Sequence, residues 1–149
     1  MTKNRSLSIA LRLVVILLGG LLMMALTFLV FALLYNLLET LFYPNAPTSF
    51  PASPLRMTFA LVLVTLYLLL LRTRLSDLFK AILLTGPLAA VIIAVGHALY
   101  ETPWLSIPAM CAVAVICGLL LYRFAKPWVY YYAGAVAAVV ALVYAWPRG

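Results

Sequence analysis

Ionisable chemistry is scarce in this chain, which holds three acids (Glu39, Asp77 and Glu101), one histidine and two cysteines among 149 residues. Cys111 and Cys117 lie in a single apolar run, six positions apart. That separation turns them about 240° around a helix, so they cannot pair locally. A metal site would need more ligands at closer spacing, and no metal or other cofactor is expected. The cysteines read as small hydrophobes and leave the redox compartment open. There is no G-x-S-x-G, H-E-x-x-H, P-loop or paired C-x-x-C, so no known catalytic chemistry is signposted.

What the chain has instead is apolar length. Hydrophobic residues make up 68% of it, charged residues 9%, and its mean hydropathy is +1.19. A soluble domain carries roughly 25% charged residues. No soluble fold of this size has the interior to hide such a surplus. The sequence is that of an integral membrane protein, expected in the plasma (inner) membrane of a prokaryote. The net charge of +7 would suit nucleic acid, but its placement argues against that partner. The basic residues all lie between or beyond apolar runs, where topology signals sit.

A hydrocarbon core of ~30 Å takes about 20 helical residues to cross. Five stretches qualify, some with their flanks: residues 13–35, 55–71, 80–99, 107–124 and 128–146. The fold class is therefore all-α, a single polytopic helical bundle over residues 1–149. The first run exceeds twenty apolar residues without a small-residue cleavage site, so it reads as an anchor and not as a cleaved signal. An inside N-terminus collects Lys3, Arg5, Arg12, Arg72, Arg74, Lys80, Arg123 and Lys126 on the inner side, leaving Arg56 and Arg148 outside. Eight against two sets the N-terminus in and the C-terminus out. Trp128, Tyr130, Tyr131 and Tyr132 fall at the inner boundary, and Tyr43, Tyr100, Trp104 and Trp146 at the outer one, as an aromatic belt does. Residues 43–54, with four prolines, read as an extended outer segment. Ser76 is placed to cap the third helix, with Asp77 in its first turn.

Helices in lipid approach through small residues. Gly86, Ala90, Ala94 and Ala98 recur every four positions and predict a packed face on the third span. Pro87 predicts a kink or a freed carbonyl beside it. On the same helical wheel His97 lies about 20° and Glu101 about 60° from Gly86, both on the packed face. Asn36 and Glu39 stand one turn beyond the first span's apolar body, and Arg56 opens the second span. Asn36, Glu39, Arg56, His97 and Glu101 thus share one depth near the outer boundary. They form the candidate ligand- or ion-binding cluster, because ionisable groups within spans default to functional hypotheses.

Three functions fit. A non-catalytic accessory or structural subunit, packed against other membrane proteins or copies of itself, suits the small size and minimal loops. A small transporter or channel subunit would move protons, cations or an amphipathic solute through Glu39, His97 and Glu101. An intramembrane enzyme on lipid-linked substrates is the weakest, with His97 as base, Glu101 as its orienter and Arg56 as a phosphate contact. The first is the leading expectation.

Overall fold

The computed structural model describes residues 2–42 and 51–146, with side chains from residue 8 onward. The expected proline-rich segment lies outside the described residues up to position 50, as do Tyr43 and Arg148. The described residues form five α-helices: α1 (Thr2–Phe42), α2 (Ala52–Leu71), α3 (Asp77–Ala98), α4 (Pro103–Arg123) and α5 (Trp128–Tyr144). Four are long and apolar enough to cross a membrane, α1 over Ser8–Phe42. The fifth is a shorter apolar helix of 17 residues. Its length still meets the lower limit of about 17 residues for a span. The protein is a helical membrane bundle.

The helix ends differ from the expected spans for local reasons. α1 begins before residue 13 and continues helically past Tyr35 to Phe42, as an apolar run without proline allows. α4 starts at Pro103, four residues early, because proline suits the first turn of a helix. Thr102 before it has φ −124° and ψ 80°, outside the helical region. Helix α3 stops at Ala98, and residues 99–101 form the turn. At its other end Ser76 caps α3 as expected, its hydroxyl accepting from the Phe79 amide at 3.4 Å, with Asp77 in the first turn. Helix α3 continues through Pro87 without interruption.

Helix α3 is the axis of the bundle and touches all four others. Around it α2 meets α1, α1 meets α5 and α5 meets α4, but α2 and α4 do not touch. The ring is open along one seam. Small residues explain the closest crossings. A Cβ on Gly86 would come within 2.6 Å of the Thr27 hydroxyl, and one on Gly20 within 3.0 Å of the Thr85 methyl. Fully buried Thr85 also donates to the Gly20 carbonyl at 3.2 Å and the Ile82 carbonyl at 2.7 Å. At the far end of α3, Gly96 lets Met110 and Ala145 close in, and buried Ser106 donates to its carbonyl at 3.3 Å. Of the expected small-residue stripe, Gly86 and Ala94 are buried, Ala90 is half-buried and Ala98 is exposed. Of these four positions, the close helix contact is at Gly86.

Polar side chains tie the end of the bundle that holds most of the basic residues. Lys80 caps α2, its ammonium donating to the Leu71 carbonyl at 3.1 Å and the Thr73 carbonyl at 2.7 Å. Cationic groups are favoured there by the helix dipole. The Tyr67 hydroxyl donates to the Lys80 carbonyl at 3.3 Å. Tyr130, expected in the aromatic belt, is instead fully buried, and its hydroxyl donates to Asp77 Oδ1 at 3.1 Å.

Candidate functional site

At the opposite end, four helices enclose a cavity of about 90 Å³. Its floor is made by Ala90 and Ala94, two of the small residues of α3. Where Gly86 brings α1 against α3, the alanines a turn or two further on leave space that no neighbour fills. The walls are aromatic: Phe28 and Phe31 from α1, Phe59 from α2 and Tyr144 from α5. Phe28 stacks on Tyr144 with ring centroids 5.3 Å apart, and Phe31 tilts against Phe59 at 5.4 Å. Such pairs hold their rings in place at separations typical of favourable aromatic contacts.

Two nitrogen-bearing side chains join the lining, Arg56 and His97. The Arg56 guanidinium carbon lies 5.9 Å from the centre of the Phe31 ring, a cation–π contact that keeps it half-buried at the head of α2. His97 Nδ1 lies 3.1 Å from the Ile93 carbonyl, one turn back on α3. A carbonyl only accepts, so Nδ1 carries the proton and Nε2 is left for another partner. The Thr27 hydroxyl is spent on the Met23 carbonyl at 2.8 Å. Among the described residues no carboxylate lines this cavity. A half-buried guanidinium, walled by rings and with no acid among the described residues of the lining, suits an anionic group better than a cation. His97 Nε2, as an acceptor, would add a bond only from a protonated or N–H-bearing partner.

Arg56 also lines a second, shallower hollow with Asn36, Tyr35 and Ala52. It therefore stands between that hollow and the inner cavity. Of the five residues singled out in the sequence, the structure gathers Asn36, Arg56 and His97 along this path. Glu39 and Glu101 line neither space. Glu39 is half-buried one turn past Asn36, and Glu101 is exposed in the turn after α3. The wheel that put Glu101 beside His97 assumed a helix continuing past Ala98, where α3 ends.

The aromatic wall was not recognised in the sequence, because its members come from three helices. The spacing of Phe28 and Phe31 on one face of α1 was the available signal. Among the described residues no group of three or more His, Cys, Asp or Glu side chains is placed to hold a metal ion. Comparison with protein-family models, with curated proteins and with solved structures gives no match, so the function has to be read from the chain's own chemistry.

Proposed function

We propose that this chain is a non-catalytic accessory subunit of a membrane system, which seats an anionic group of a partner membrane protein in the Arg56–His97 cavity. The carrying observation is Arg56, half-buried against Phe31 in a lining shared with His97, with no carboxylate among the described residues of that lining. A half-buried cation without a counter-ion is partly desolvated, and an incoming carboxylate or phosphate would offset that cost through charge-assisted hydrogen bonds. The proposed setting is a prokaryotic plasma membrane, N-terminus in and C-terminus out, with the cavity at the outer boundary. The overhang of α1 supports a partner there. Leu37, Leu41 and Phe42 are exposed beyond the level at which Asn36 meets the start of α2.

Transport of an amphipathic anion is the second reading, favoured by the aromatic walls. Against it stands the packing beneath the cavity. Met24, Leu88, Ile92 and Ala137 are buried together in an apolar cluster between the two polar ends. A solute would have to open that cluster to pass.

A photocrosslinking amino acid at Phe59 tests both readings in cells. The accessory reading expects a protein adduct of discrete mass that falls several-fold when Arg56→Gln is added. Adducts with bulk phospholipid alone, at equal yield with and without Arg56, would overturn it. Anion flux from liposomes holding only the purified chain, abolished by Arg56→Gln, would replace it with transport.

A further inference from the structure

The seam left open between α2 and α4 is a trough of about 270 Å³, floored by α3. Its lining is almost wholly apolar except at one end, where Tyr67, Lys126 and Tyr130 meet. We propose that this trough holds one acyl chain of an anionic phospholipid, with the headgroup phosphate on Lys126.

The first argument is length. On α4 the lining runs from Val113 to Phe124, and on α2 from Val64 to Leu71. At ~1.5 Å per residue these are about 16 Å and about 10 Å. One leaflet of a ~30 Å hydrocarbon core is half that thickness. The trough is one leaflet deep and lies at one end of the bundle.

The second argument is the character of the walls. Helices that dock in lipid do so through Gly, Ala, Ser and Thr, which admit a neighbouring backbone. None of those residues lines the trough; Leu68, Leu88, Val91, Val113, Ile116 and Leu120 do. These branched side chains hold a second helix at a distance but conform to a flexible chain. The contrast with the Gly86–Thr27 crossing, on another face of the same α3, is direct.

The third argument is charge. The Lys126 ammonium lies 5.5 Å from the centre of the Tyr130 ring, so its position at the mouth of the trough is held. Its backbone is held too, because the Lys126 amide donates to the Leu121 carbonyl at 3.0 Å in the turn that ends α4. Arg72, Arg74 and Arg123 are exposed at the same end of the bundle. Among the described residues Asp77 is the one acid at that end, and it already accepts from Tyr130. An anionic headgroup there meets net positive charge, and each basic residue near such a surface adds attraction.

Native mass spectrometry of the purified chain in detergent, titrated with phosphatidylglycerol or phosphatidylcholine, tests this. One phosphatidylglycerol should be retained in preference to phosphatidylcholine by at least about fivefold, the contribution of one basic residue at a membrane surface. Lys126→Gln should lower that preference by about fivefold and weaken binding of both. Val91→Phe on the floor, or Ile116→Trp on the exposed wall, should displace both lipids while circular dichroism keeps the helical content. Equal retention of the two lipids by the native chain would overturn the proposal. So would lipid binding indifferent to the filling substitutions, or a dimer that those substitutions dissociate.

Discussion

Tyr130 at the start of α5 donates its hydroxyl to Asp77 at the start of α3, at 3.1 Å, joining positions 53 residues apart. The ring is fully buried among Ile16, Ala81, Leu84 and Ala133, while Asp77 remains exposed. The bond thus anchors the shortest helix to the central one at the edge of the apolar core. Tyr130→Phe keeps the packing and removes the donor. Because the carboxylate can turn to water, the loss should be that of a single net hydrogen bond, about 0.5–1.5 kcal/mol. Unfolding in mixed micelles should show it, and Tyr132→Phe should show no such loss. Equal behaviour of the two would mean that packing alone positions α5.

Two glycines separate close approach from open space. At Gly86 an added Cβ would lie 2.6 Å from Thr27 Oγ1, and that hydroxyl is already directed to the Met23 carbonyl. At Gly118 nothing lies within 4 Å. Gly86→Ala should therefore destabilise by about 1–3 kcal/mol through overpacking of α1 against α3. Gly118→Ala should be neutral or stabilise by up to about 1 kcal/mol, since alanine is the better helix former. Thermal stability of the two variants in one detergent is the comparison. Matching melting temperatures would remove Gly86 from the crossing.

The turn between α4 and α5 offers a stabilising change. Ala125 has φ 47°, the left-handed region that glycine occupies freely. Its amide donates to the Tyr122 carbonyl and the Lys126 amide to the Leu121 carbonyl, both at 3.0 Å. That pair of bonds is the Schellman ending, in which glycine is the usual residue at this position. Ala125→Gly should relieve roughly 1 kcal/mol of strain without altering either bond. A raised melting temperature with unchanged lipid retention is the expected result. A fall would mean that the turn depends on the alanine methyl.

Legibility in the sequence followed the range of the forces involved. Five helices could be read because apolar length against a fixed bilayer thickness is a one-dimensional signal. The Ser76 cap was legible for the same reason, as capping is local. The Arg56–His97 pairing was half legible: depth placed both residues at one level, and only packing shows them sharing a cavity. Glu101 misled because a helical wheel continues until the helix ends, and α3 ends at Ala98, three positions before it. Tyr130 misled because residue type cannot separate a ring at the lipid boundary from one buried beneath it. The open seam was invisible, since it depends on which helices fail to touch.

The orientation of the bundle decides which compartment the Arg56–His97 cavity faces. Lys80 and Lys126 gather with Tyr67 and Tyr130 at one end, while Arg56 lies at the other. Arginine and lysine accumulate on the cytoplasmic side. Lys80 weighs less in that balance than its charge implies, because its ammonium is held by two carbonyls of the α2 terminus. Arg72, Arg74 and Arg123 are exposed and carry the signal undiminished. A reporter inserted after Thr73 should therefore behave as cytoplasmic, and one fused after Gly149 as exported. The second fusion also tests α5, whose 17 residues only just suffice to cross. Cytoplasmic behaviour of both fusions would mean that α5 does not span, and would take Tyr144 out of the cavity wall. Exported behaviour of the Thr73 insertion would invert the bundle, put Arg56 and His97 on the cytoplasmic side, and require the partner there.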